Sequence, residues 1–396
     1  MSLPRKMDLE AKLSDQLRGI PRSGIRDFFE LVIGRSDVIS LGVGEPDKPT
    51  PWPIREAAIR SLEKGQTSYT SNLGLESLRV GISGYVQKHF NVTYDPKTEI
   101  LVTVGVSEAL DLAFRAVLNP GDEVIFHQPC YVSYSPSIVM AYGKAVPVNT
   151  RLEDDFALRA SDVEKAITPK SKILVLNFPT NPTGAIEPVD ELEKIAKLCV
   201  KHDLICFTDE IYSELLYDNR KHTSIVTFPG MRERTVLLHG FSKAFAMTGW
   251  RLGYACSPPA LTAAMMKIHQ YSMLCAPIMS QMAAIEALKQ GADAYEPMRQ
   301  SYEERRNFVV RRLNEMGLHC FNPGGAFYVF PDVSSTGLSG KEFAMKLLED
   351  QSVAVVPGGA FGPSGETCVR CCYATAPDLL VKAMDGMEAF VKKHRK

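Results

Sequence analysis

KILVLNFPTNPTGAIEPVDELEKIAKLCVKHDLICFTD, residues 172–209, is the stretch from which the fold is read. Lys172 to Asn177 and Leu204 to Thr208 are short apolar runs, each closed by polar or turn-forming residues. Between them, Asp190 to His202 places Leu192, Ile195, Ala196 and Cys199 on one face at helical spacing. A strand, a helix and a second strand in that order read as a crossover unit, whose two strands run parallel. Further candidate strands lie on either side, at Ile100 to Val104, Glu123 to His127 and Val236 to His239. The sequence therefore predicts an α/β fold, with a mostly parallel central sheet and helices on both faces.

After about residue 290 the pattern changes. A long charged helix (Tyr295 to Met316) is followed by the strand-like GGAFYVFP, a helix near Lys341 to Asp350, and VRCCYA. This predicts a smaller α+β domain over 291–396, which an N-terminal arm (1–45) joins, beside a large domain over 46–290. A chain of 396 residues exceeds what one core usually spans, which favours two domains.

The formal net charge is -1 and charged residues make up 23% with both signs interleaved, so no footprint for nucleic acid or an anionic membrane is expected. Nine cysteines, an odd number, in a chain without a secretory signal read as free thiols in a reducing compartment. The reading is a cytoplasmic protein. Cys368, Cys371 and Cys372 make a CxxC spacing, but with no second CxxC and no nearby histidine pair they read as a buried strand, and no metal is expected.

In such a sheet ligands bind beyond the carboxyl ends of the strands, and the informative motifs fall there. Ile100 to Val104 runs into Gly105 and a helix beginning near Ser107, whose first amides suit an anion. Asp209 ends an apolar strand in FTDEIYSE, where a carboxylate is costly unless paired. In HGFSKAFAMTGWRLGY, residues 239–254, Lys243 is an amine able to form a Schiff base, and Arg251 is a charged fork suited to a phosphate. Tyr131 in QPCYVSYSP could lie against a heteroaromatic ring, and Tyr212 could reach a ring hydroxyl. Arg370 sits in an apolar strand pattern and calls for an anionic partner, either a substrate carboxylate or a structural salt bridge. Each feature alone has an ordinary structural reading. Together they supply what pyridoxal phosphate requires: an amine, an anion beside the ring nitrogen, a phosphate cradle and a stacking face.

SGIRDFF, LGVGEPD, YTSNLGLESLR, TVGVSEAL, NFPTNPTG, TDEIY, FSKAFAMTGWRLGY and VRCCYA occur in this order along nearly the whole chain. The series resembles the class I aminotransferases of the fold-type I pyridoxal phosphate enzymes, in the branch that holds aspartate, alanine and aromatic aminotransferases. The resemblance implies that Lys243 holds the cofactor covalently and shuttles the proton. It implies that Asp209 meets the ring nitrogen, Asn181 and Tyr212 the ring oxygen, and Tyr131 the ring face. Val106, Ser107, Ser242 and Arg251 would hold the phosphate, joined by Tyr69 of a second subunit, so a homodimer is expected. Gly42, Asn181 and Arg370 would meet the substrate carboxylate. Two departures stand out: Gly240 replaces a serine that many relatives use as a phosphate ligand, and Ser107 replaces a lysine found in some dicarboxylate-specific relatives. The implied activity is ping-pong transfer of an amino group from alanine, aspartate or an aromatic amino acid to a 2-oxo acid such as 2-oxoglutarate. Arg22, Arg26 and Lys48 are surface charges or a second cation for a dicarboxylate. A C–S β-lyase on the same scaffold is the alternative activity, and a regulator would need a nucleic-acid module not seen in this sequence.

Overall fold

The computed structural model describes residues 7–20, 34–35 and 37–394. SGIRDFF, with Arg22 and Arg26, lies outside the described residues. In chain order the strands are β1 (Ile39–Ser40), β2 (Ile100–Thr103), β3 (Glu123–Gln128), β4 (Lys144–Asn149), β5 (Ser171–Leu176) and β6 (Ile205–Asp209). They continue with β7 (Thr235–Gly240), β8 (Gly253–Cys256), β9 (Tyr328–Val329), β10 (Val353–Ala354), β11 (Val356–Pro357) and β12 (Val369–Cys372).

Seven strands form the central sheet in the order β2-β8-β7-β6-β5-β3-β4. The pairs β4/β3, β3/β5, β5/β6 and β6/β7 are parallel, whereas β8 runs antiparallel to both β7 and β2. Alternation of side chains along each strand feeds two cores. Ile125, Leu174 and Cys206 pack on one face with Leu192, Ile195 and Cys199 of the helix Val189–Lys201. Phe126, Val175, Phe207 and Leu238 pack on the other with Leu110 and Phe114 of the helix Val106–Val117.

The five strands read from sequence are all present within a residue or two. The sequence reading did not include β4 and β8, for identifiable reasons. Strand β4 carries Pro147 and lies at the sheet edge, the one place where a missing amide donor is tolerated. Strand β8 is four residues long and opens with Gly253, where an added Cβ would sit 2.6 Å from the Val106 amide nitrogen. Only the approach of the Val106 helix explains that glycine, and the helix is distant in sequence.

A second sheet, antiparallel and ordered β11-β12-β9, packs with the helices Ala292–Glu315, Gly340–Gln351 and Pro377–His394 around Val309, Leu313, Phe343, Leu347, Met384 and Phe390. Ser339 and Glu342 form a reciprocal capping box at the start of the second of these helices. Strand β1 pairs parallel with β10, Ile39 against Val353, and so ties the N-terminal segment to this second body. All nine cysteines are free, and the three in VRCCYA and its flank are buried.

Candidate active site

The carboxyl ends of the parallel strands converge on one cavity of about 700 Å3. Strand β5 delivers Asn177 and Asn181, β6 delivers Asp209 and Tyr212, and β7 delivers Ser242 and Lys243. Strand β2 leads through Gly105 into the helix that contributes Val106 and Ser107. Tyr131 and Arg251 close two sides, and Arg370 enters from β12.

Lys243 Nζ donates to the carbonyl of Gly44 at 2.7 Å. Burial, reinforced by the positive charges of Arg370 and Arg251, lowers its pKa from 10.5 to about 8. An amine so placed is readily available in neutral form, as a nucleophile or base must be.

Asp209 is 6% exposed, and burial raises its carboxyl to about 6 against the opposing hydrogen bond from Tyr134. The Tyr134 hydroxyl donates to Oδ2 at 2.9 Å and the Ile211 amide to Oδ1 at 3.3 Å. Asn177 donates from Nδ2 to the Asp209 backbone carbonyl at 2.8 Å, which fixes the end of the strand. A cationic ring at this carboxylate would restore its ordinary ionisation.

The anion cradle follows from local backbone geometry. Gly105, at φ 80°, caps the helix without a side-chain hydrogen bond, so the amides of the first turn are left for a ligand. An added Cβ on Gly105 would lie 2.8 Å from Nη2 of Arg251, so this glycine lets the guanidinium rest against the helix start. Arg251 itself adopts φ 51° and donates to the Thr248 carbonyl at 3.0 Å.

Arg370 is 3% exposed, and its two hydrogen-bond acceptors are neutral: Asn181 Oδ1 at 2.8 Å and the Gly42 carbonyl at 2.6 Å. Its Nε is buried with no partner, and no carboxylate lies within ion-pair distance of it among the described residues. The sequence left open a substrate carboxylate or a structural salt bridge, and the geometry offers no acid for the latter. A buried guanidinium balanced only by neutral acceptors is suited to an incoming carboxylate.

Two residues named from sequence do not line the cavity. Gly42 meets it only through its carbonyl on Arg370, and Tyr69 is 83% exposed and outside it. Gly240 has a steric reason: an added Cβ would stand 2.9 Å from Gly253 Cα and 3.0 Å from the Leu252 carbonyl oxygen.

Sequence reasoning missed Tyr134, Tyr328 and Gly44. Tyr134 follows Tyr131 by three residues, a helical spacing that was a usable signal. It also missed a buried pair behind the site. His239 Nε2 lies 3.0 Å from Glu214 Oε1 and 2.9 Å from Ser213 Oγ, and Tyr85 donates to the same carboxylate. His239 holds Glu214 down to about 2, and the carboxylate in turn raises the imidazole.

The family model described as aminotransferase class I and II matches residues 36–385. The aromatic-amino-acid aminotransferase 2 of Thermococcus litoralis is 44% identical over 385 residues, covering 97% of this chain and 99% of that protein. An aspartate aminotransferase of Pyrococcus abyssi is likewise 44% identical over 385 residues, with the same coverage. The crystal structure of an aromatic aminotransferase from Pyrococcus horikoshii superposes with a TM-score of 0.89 at 46% identity, covering 93% of this chain and 99% of that one.

Proposed function

The chain belongs to the class I and II aminotransferases and is a transaminase, and on that premise we propose that it uses pyridoxal phosphate to move an amino group from an L-amino acid to a 2-oxo acid by a ping-pong route. One observation carries the reading: a single cavity collects a buried amine with a pKa of about 8, a buried carboxylate, and two guanidinium groups set on opposite duties.

The donor set fits the cofactor. Lys243 offers the amine for its aldehyde, Asp209 the anion for its ring nitrogen, Tyr212 and Asn181 donors for its ring oxygen, and Tyr131 a face for its ring. The first-turn amides of Val106 and Ser107, with Ser242 and Arg251, suit its phosphate. Tyr69, exposed and outside the cavity of its own chain, reaches the phosphate site of a second copy, so the active unit is a homodimer. Residues 46–290 hold the cofactor, and residues 291–396 with the arm 1–45 bring Arg370 and Gly42 to it.

When bound, pyridoxal phosphate supplies a carbonyl that condenses with amines and a ring that withdraws electrons from the substrate's α-carbon. Arg370 takes the substrate carboxylate in a two-pronged grip, with Asn181 alongside, and this fixes which bond at the α-carbon faces Lys243. Lys243 Nζ, neutral once its proton is lost, would take the α-proton from the substrate and hold it for return. Asp209 would hold the ring nitrogen of the bound cofactor, and the charge there would in turn favour its carboxylate form. Tyr131 and Val132 line the cavity beside Tyr134.

Aromatic and aspartate aminotransferases both stand among the relatives, and alanine, aspartate and aromatic amino acids are the donors proposed, with 2-oxoglutarate as acceptor. The test mixes cofactor-loaded protein with single amino acids and no 2-oxo acid. A stoichiometric absorbance change that reverses on adding 2-oxoglutarate is the expected result. Continuous release of 2-oxo acid without an acceptor would replace transfer by elimination, and no spectral response across the panel would refute the donor assignment.

A further inference from the structure

We infer that Tyr328 is a positioning residue for the reaction: its hydroxyl donates to the Tyr212 hydroxyl and thereby aims the Tyr212 proton at the ring oxygen of the cofactor. The inference rests on the proposed use of pyridoxal phosphate and deepens it.

The two hydroxyl oxygens lie 2.9 Å apart, on residues 0% and 3% exposed. Each hydroxyl carries one hydrogen, and among the described residues neither has another hydrogen-bond partner. If the Tyr212 proton is directed into the cavity, the hydrogen in the pair must come from Tyr328. The order of donation is then Tyr328 to Tyr212 to cavity, and such chains strengthen the terminal donor. Burial raises both phenols well above their ordinary range, so each keeps its proton for donation, and the Arg370 charge works against that shift.

The surroundings hold Tyr328 to this geometry. It belongs to β9, whereas Tyr212 follows β6, so the bond links the second sheet to the central one. The rings of Tyr212 and Tyr328 meet edge to face at 5.9 Å and 80°. The guanidinium carbon of Arg370 lies 4.6 Å from the Tyr328 ring centre, so the ring also backs the group that binds carboxylate. Gly44 is the most specific sign. Its φ is not positive, so its backbone does not require glycine, yet an added Cβ would stand 2.6 Å from the Tyr328 hydroxyl oxygen. The missing side chain is explained by room for that hydroxyl, and the Gly44 carbonyl is the one that receives Lys243. The Tyr328 hydroxyl therefore meets Tyr212 and the backbone that receives Lys243, while its ring backs Arg370.

The experiment is a pH titration of the visible absorbance of cofactor-loaded protein, compared among wild type, Tyr328→Phe, Tyr212→Phe and the double variant. A donor to the ring oxygen favours the deprotonated chromophore, so weakening it raises the pH midpoint. Tyr328→Phe is expected to raise the midpoint by roughly 0.3–1 unit, Tyr212→Phe by more, and the double variant by no more than Tyr212→Phe alone. Gly44→Ala provides a second route: it displaces the Tyr328 hydroxyl, so it should raise the midpoint in wild type and add nothing once Tyr328→Phe is present. A wild-type midpoint in Tyr328→Phe, or additive shifts in the double variant, would overturn the inference while leaving the cofactor assignment standing. Absence of a visible band in every protein, wild type included, would instead refute the cofactor assignment and the inference with it.

Discussion

Lys243→Met should stabilise the cofactor-free protein, and by an amount that depends on pH. In the folded chain the Lys243 amine has a pKa of about 8 against an ordinary 10.5. Between those values the unfolded chain binds more protons than the folded one, so this group's contribution makes the protein more stable as pH rises from 8 to 10.5. Below 8 the contribution is constant and unfavourable. Its cost is on the order of 3 kcal/mol at pH 7 and about 2 kcal/mol at pH 9. Methionine removes that cost, fills a similar volume and forfeits the hydrogen bond to the Gly44 carbonyl, worth roughly 1–2 kcal/mol. The net gain at pH 7 is then roughly 1–2 kcal/mol. Urea unfolding of both proteins at equal concentration, at pH 7 and pH 9, reads the difference directly. Packing and hydrogen-bond losses shift the two proteins' separation equally at both pH values, so the separation should move toward the wild type by about 1 kcal/mol at pH 9. A separation that does not change between pH 7 and pH 9 would refute the claim that burial holds this lysine partly neutral. The site would then store none of the instability that an activated amine requires.

Arg370→Gln should lower kcat/KM roughly 10²–10³-fold, chiefly through KM, because the guanidinium proposed to grip the substrate carboxylate is lost; steady-state kinetics with a monocarboxylic donor checks it. Gly240→Ser should not restore a phosphate ligand but cost roughly 1–3 kcal/mol of stability, since its Cβ meets the backbone of Leu252 and Gly253; cofactor titration and urea unfolding of the same variant separate the two effects. Asp209 in the cofactor-free protein is neutral below about 6 and ionised above, so cofactor affinity should fall as pH drops through 6, and Asp209→Asn should flatten that step; equilibrium titrations from pH 5 to 8 test both. Glu214→Gln leaves His239 buried beside a neutral amide and should destabilise by roughly 3–5 kcal/mol, readable by urea unfolding.

Much of this protein is written locally. The apolar runs around 172–209 and the helix between them carry their own periodicity, and burial on both faces of β5 and β6 follows from it. Asp209 and Lys243 were legible because each is a charged group at the end of an apolar strand, a placement costly enough to demand a reason. The order of motifs along the chain carried the family, and the match over residues 36–385 accords with it.

Other features depend on pairs that no local window contains. Tyr134 meets Asp209 across 75 residues, Tyr328 meets Tyr212 across 116, and Arg370 meets Asn181 across 189. Gly44 and Gly240 have no positive φ, and each is small because another part of the fold needs the space. The orphaned Nε of Arg370 likewise cannot be seen until every acceptor around it is counted. Sequence by itself determined five of the seven central strands, the crossover between β5 and β6, and which charged residues stand at strand ends, because hydrophobic period and isolated charge are properties of neighbours along the chain. Tertiary structure alone decided which hydroxyl aims which carboxylate or phenol, because hydrogen bonding and steric exclusion act over a few ångströms between elements that only folding brings together.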